Sequence, residues 1–225
     1  MPLEVISLNA AADKIQRPFS VVPLASVADL SLSLYMCQGQ INWHRHPDED
    51  ELFLVHEGVV QLDTERGRLT LHSEELAVVP KGVGHRSGSQ LRSIVILIRP
   101  TVLADRKNGQ RHFALDTDPP IEKVRFARVQ ATLGAAYRAA VVAQVEDFEL
   151  LLIRAEGESP PQPAAEYHQL WLALRGHVAI SVPGQPPANL AAGDLVRVPP
   201  GTPHTLSATQ PSLLLTLART TPTEG

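Results

Sequence analysis

The sequence predicts an all-β protein made of two tandem barrels or sandwiches, with few short helices. Three observations predict it. Short apolar runs alternate with polar residues at a period of two, as in strands with one buried face. Nineteen prolines and fourteen glycines in 225 residues punctuate the chain with turns. The second half also repeats the first at a nearly constant offset.

The first helical signal lies near Ala10 to Ile15. Leu30, Leu32, Leu34 and Met36 then alternate with Ser31, Ser33, Tyr35 and Cys37, the pattern of a half-buried strand. Leu52 to Val55, Val59 to Leu62, Leu69 to Leu71 and Leu76 to Val79 follow at short intervals, with a hairpin turn at Glu65-Arg66-Gly67. Ile94 to Ile98 is a strand-length apolar run, too short to span a bilayer. In the second half a helical stretch is expected near Gln130 to Ala139. Strands are expected at Leu170 to Leu174, Val178 to Val182 and Leu195 to Val198.

The repeat fixes the domain organisation. Asp29-Leu-Ser-Leu-Ser-Leu34 aligns with Asp147-Phe-Glu-Leu-Leu-Leu152 at a shift of 118, which also pairs Gly39 with Gly157 and Gly58 with Gly176. A shift of 119 pairs Pro80-Lys-Gly82-Val-Gly-His85 with Pro199-Pro-Gly201-Thr-Pro-His204. The expected domains are residues 1–103 and 121–221. A polar, turn-rich linker joins them at 104–120, and a tail follows at 222–225.

Composition narrows the function classes. A net charge of −4 and 4% aromatic residues argue against nucleic acid as a partner. The N-terminus lacks the basic and apolar regions of a signal peptide, and no membrane partner is expected. Cys37 is the only cysteine, so no internal disulfide can form. A cytoplasmic protein is the expectation.

The residues with chemistry cluster in the first half. His44 and His46 are two apart, so on a strand they share a face. Glu51 is an odd step beyond His46, but Pro47-Asp-Glu-Asp50 reads as a turn that resets the parity, so that Glu51 opens a new strand. His85 follows the Pro80-Lys-Gly82 turn, which can return the chain to the same point. Three imidazoles and one carboxylate suit one divalent metal ion: Fe, Mn, Zn, Ni or Co. Such an ion, held by His44, His46, Glu51 and His85, keeps positions open for a substrate. Asp48, Glu49 and Asp50 read as solvated turn residues, with Glu49 an alternative ligand. His56, His72, His112 and His177 read as ordinary histidines, Cys37 as a small buried hydrophobe, and Arg45 as pointing outward. Trp43 and Phe53 are equally candidates for pocket lining or core.

These residues resemble the two sequence motifs of the cupin superfamily. The first is carried by Gly39, His44, His46, Glu51 and Gly58; the second by Pro80, Gly82 and His85. Four residues rather than five separate Gly39 from His44, and Glu74 stands where a glycine is expected. The resemblance implies a bicupin: two cupin-type jelly-roll barrels, with the metal inside the first. The second is a degenerate cupin domain. Gln162, Ala164 and Gln169 stand opposite His44, His46 and Glu51, and His204 alone remains, with Trp171 in the place of Phe53. A site rebuilt from Glu166, Tyr167, His168 and His204 is disfavoured by parity, and Arg197 reads as a surface residue.

Function divides three ways from here. A metal-dependent enzyme acting on a small molecule, dioxygenase-like or sugar-isomerase-like, comes first. The alternative is a non-catalytic small-molecule binding or sensing protein. A structural or storage role fits the intact ligand set less well. No catalytic residue beyond the ligands can be named, and a homodimer is compatible with the resemblance.

Overall fold

The computed structural model describes residues 2–101 and 118–220. Most of the expected linker, His112 and the tail at 222–225 lie outside the described residues. The chain opens with β1 (Val5–Ser7) and α1 (Leu8–Ala12). Then come β2 (Val21–Val27), β3 (Leu30–Gln40), β4 (Glu51–Glu57), β5 (Val59–Thr64), β6 (Gly67–His72), β7 (Glu75–Val79) and β8 (His85–Pro100). The second repeat opens with β9 (Lys123–Arg125) and α2 (Phe126–Gln130). It continues with β10 (Ala139–Val145), β11 (Phe148–Glu158), β12 (Gln169–Arg175), β13 (His177–Ser181), β14 (Ala188–Ala191), β15 (Asp194–Val198) and β16 (Thr205–Arg219).

Each repeat forms one antiparallel sheet of eight strands. The first runs β2-β3-β8-β4-β7-β9, with the β5–β6 hairpin on β8; the second runs β10-β11-β16-β12-β15-β1, with β13–β14 on β16. The strand that opens each repeat therefore pairs with the sheet of the other: β9 with β7, and β1 with β15. The chain divides accordingly into Ala12–Arg125 and a second unit of Met1–Ala11 with Phe126–Gly225. Glu75 shows why β9 stays on β7. Its carboxylate accepts from Lys123 Nζ at 2.7 Å, from the His72 amide at 3.0 Å, and pairs with Arg125 Nε at 3.0 Å.

Inside the first barrel, Tyr35, Cys37, Phe53, Val55, Val95 and Leu97 interdigitate. Burying each of the larger of these is worth roughly 1.5–3 kcal/mol. The expected alternation along β3 holds, but Leu32, Leu34 and Met36 on the other face are buried as well. That strand is covered on both faces rather than half-buried. The helices differ from expectation too. Each has five residues, and α2 ends where the predicted Gln130–Ala139 helix was to begin; Ala131 to Arg138 is turn and loop.

The repeats match down to backbone strain. A Cβ on Gly58 would lie 2.3 Å from Ser93 Oγ, and one on Gly176 2.2 Å from Ser212 Oγ, so both positions require glycine. Glu74 occupies the left-handed region at φ 62°, where its counterpart Gly193 has φ 86°. Both donate the same backbone hydrogen bond, Glu74 to Val55 O and Gly193 to Ala173 O. The glycine absent from the motif has left its conformation behind.

Candidate metal centre

Local structure brings the four predicted ligands together. His44 and His85 form an isolated antiparallel bridge with reciprocal N–H···O bonds of 3.0 and 2.9 Å. Pro47 and Asp48 form the turn that resets parity, and Glu51 opens β4 opposite Val79. The Pro80–His85 loop is held from two sides. Lys81 N donates to Asp50 Oδ1 at 2.9 Å, and Gly84 N to Glu65 Oε2 at 2.8 Å. Gly82 N also donates to His46 O at 2.8 Å. One candidate ligand atom from each of His44, His46, Glu51 and His85 then lies within 4.8 Å of the others. It is the only such group among the described residues.

Protonation is partly settled by the backbone. His85 Nδ1 lies 3.0 Å from Val83 O and His44 Nδ1 2.9 Å from Asn42 O. A carbonyl only accepts, so both Nδ1 atoms carry hydrogen and the Nε2 atoms are the ones that face inward. His85 Nε2 stands 2.9 Å from Glu51 Oε2, at a site where both residues are buried. Two acceptors at that distance need a cation or a proton between them. Burial alone would raise the Glu51 carboxyl, but the His85 hydrogen bond and the charges of His46, His85 and Arg99 outweigh it and hold the group below its ordinary value. Burial pushes His46 down toward the neutral, ligating form, against the opposing pull of Glu51. The residues fit a divalent ion.

The cluster opens on a cavity of about 150 Å³. Phe19, Val21, Ile41, Phe53 and Leu97 give it apolar walls; Tyr35, Ser87 and Arg99 are its other polar residues. Tyr35 Oη and Ser87 Oγ bond to each other at 3.1 Å. Burial raises the Tyr35 hydroxyl well above its ordinary value and pushes the Cys37 thiol up to about 11, so neither is a ready acid or nucleophile.

Residues 33–90 match the Cupin domain family. Over 93 residues the chain is 30% identical to the Bacillus subtilis (strain 168) protein YdbB, described as uncharacterized, covering 41% of this chain and 82% of that one. The chain belongs to the cupin superfamily. Among solved structures, a cupin 2 conserved barrel domain protein from Leptotrichia buccalis superposes with a TM-score of 0.73 at 12% identity, covering 96% of each chain. A salicylate 1,2-dioxygenase from Pseudaminobacter salicylatoxidans superposes with a TM-score of 0.70 at 13% identity, covering 96% of this chain and 84% of that one. These likenesses establish the two-barrel cupin fold.

The second cupin barrel keeps the backbone and, of the four candidate ligands, only the counterpart of His85. Gln162 bridges His204 as His44 bridges His85. His204 Nδ1 donates to Thr202 O at 3.1 Å, so its Nε2 again faces inward. There it accepts from Trp171 Nε1 at 2.9 Å. An indole N–H thus stands against the imidazole, and burial pushes His204 down toward its neutral form. Among the described residues no metal-type cluster forms around it: Glu166 and Arg197 are exposed, and Tyr167 Oη accepts from Arg219 N at 3.0 Å.

Remaining residues fall into place around this cupin centre. Phe53 lines the cavity with its ring 5.8 Å from His85, whereas Trp43 is 49% exposed and lies under Arg86. Arg45 points outward to Glu65. Asp48 and Glu49 stay outside the ligand cluster, His72 and His177 are exposed, and His56 is half-buried. Sequence reasoning missed several cavity residues, among them Phe19, Ile41 and Ser87, and Arg99 is the charged one. It lies two positions past inward-facing Leu97, beyond the apolar run that drew attention as strand.

Proposed function

We propose that the N-terminal barrel is a metal-dependent oxygenase centre for a small molecule, with His44, His46, Glu51 and His85 as the metal ligands. The observation that carries this reading is the close approach of His85 Nε2 and Glu51 Oε2, at 2.9 Å, beside two further imidazoles and at the mouth of a cavity. A redox-active divalent ion held by these four side chains would supply Lewis acidity and electron transfer toward dioxygen. The chain's own residues do the rest. Val83 O and Asn42 O fix the tautomers of His85 and His44, Glu51 offsets part of the positive charge, and Phe53, Leu97 and Phe19 keep the cavity apolar.

Oxygenase chemistry is favoured over sugar isomerisation because isomerisation needs a positioned base to move a proton. Tyr35 is held protonated, Cys37 is likewise a neutral thiol, and no carboxylate other than Glu51 lines the cavity. The solved relative named salicylate 1,2-dioxygenase supports the same direction. Protein purified without oxygen and loaded with Fe(II) should hold one ion per chain and take up oxygen with a panel of small aromatic and aliphatic acids. His85→Ala should retain the fold and lose both. Stoichiometric metal with no oxygen uptake across the panel would replace this reading with a binding or sensing role.

A further inference from the structure

We propose that Arg99 is the substrate-binding residue of the N-terminal barrel, and that the ligand it selects is a small carboxylic acid. The inference rests on the metal reading and adds to it the class of molecule. Arg99 lines the cavity together with His44, His46 and Glu51, close enough that its charge acts on both Glu51 and His46. No hydrogen bond or ion pair ties its guanidinium to any described residue, although the side chain is half-buried among Phe53, Leu97 and other apolar walls. Glu51 is near enough to feel this charge but does not bond it, and a guanidinium with no bonded carboxylate in such surroundings is costly unless something else supplies the anion.

The repeat provides an independent observation. Register across β3–β8 sets Ser31 opposite Arg99; the matching register across β11–β16 sets Glu149 opposite Ala218. Arg99 and three of the four candidate ligands, His44, His46 and Glu51, are therefore absent together from the second barrel, where only His204 remains. A guanidinium needed for folding alone would have no reason to follow the ligands. Charge gives the third argument. A divalent ion with one carboxylate and one guanidinium leaves two positive charges facing the cavity. A carboxylic acid with a second oxygen donor beside its carboxylate satisfies both groups, one end on the fork of Arg99 and the other on the open metal positions. The cavity of about 150 Å³ suits a small acid.

The test uses the full chain loaded with Co(II), whose visible spectrum reports ligands entering the metal shell. Probes are glycolate, lactate and salicylate, each against its neutral amide. The expected result is that at least one acid perturbs the wild-type spectrum at concentrations about tenfold or more below its amide. Arg99→Met should still bind one Co(II) and lose that acid-over-amide preference. Arg99→Lys, which keeps the charge without the fork, should retain part of it and also covers the case in which Arg99→Met fails to fold. An undiminished preference in Arg99→Met, or no acid binding to wild type, overturns the assignment while the metal reading stands. Failure of wild type to take up Co(II) is seen before any probe is added and removes the metal reading itself.

Discussion

Replacing Glu51 by glutamine should separate the two states of the centre. Glu51 Oε2 faces His85 Nε2 at 2.9 Å, and both side chains are buried. A glutamine amide at that place would donate to Nε2 of a neutral His85, so the contact would no longer need a proton or a cation between imidazole and carboxylate. Removing both the buried carboxylate and its need for a counter-charge should leave the metal-free protein within about 1 kcal/mol of wild type, or more stable. Metal loading should then tell the two apart. At a hundredfold excess over its Kd, an ion adds about 2.7 kcal/mol to the state that binds it. For a unit the size of Ala12–Arg125 that is roughly 10 °C in Tm. Differential scanning calorimetry with and without Mn(II) should show this shift in wild type and only a small fraction of it in Glu51→Gln. An equal shift in both proteins would refute the role assigned to Glu51.

Three further substitutions test the surrounding account. Trp171→Phe removes the donor to His204 Nε2, so it should cost about 1–3 kcal/mol in urea denaturation and leave metal content unchanged. Glu74→Gly relieves a left-handed residue and should raise stability by about 1 kcal/mol, read as a higher urea midpoint at an unchanged slope. Burial alone would raise the Glu75 carboxyl, but Lys123, the His72 amide and Arg125 hold it below its ordinary value of 4.5. Its contribution is therefore present above pH 4.5 and lost as pH falls through the depressed folded value. The stability gap between wild type and Glu75→Gln should be widest near pH 7 and close in acid, and a gap that widens in acid would contradict the sign.

Parity and spacing carried the sequence reading a long way. The spacing of His44 and His46, a turn at Pro47-Asp48, and His85 after Pro80-Lys-Gly82 were enough to gather the candidate ligands, although His44 and His46 lie between β3 and β4, with His44 in an isolated bridge to His85, and not on a strand as parity assumed. The duplication was equally legible, since Gly58 and Gly176 are required by the close approach of Ser93 and Ser212. The exchange of β1 and β9 was not. Strands of three residues carry no periodicity, and their partners β15 and β7 lie far along the chain. Nor did the alternation along β3 reveal that its second face is covered, because serines and leucines alternate whether or not something packs on them. Arg99 escaped notice for a related reason. One arginine at the end of an apolar strand reads as a solvated terminus, and only its neighbours in space show that it faces the ligands. The Trp171–His204 bond needed coordinates too, since sequence placed the ring near the vacated mouth without revealing its donor.

The account turns on one cation held in the N-terminal barrel. A crystal of the protein soaked in Mn(II), with data collected at the manganese absorption edge, tests this directly. The prediction is a single strong anomalous peak per chain, bounded by Nε2 of His44, His46 and His85 and by a carboxylate oxygen of Glu51. A peak at His204, or none within reach of these four side chains, would contradict it.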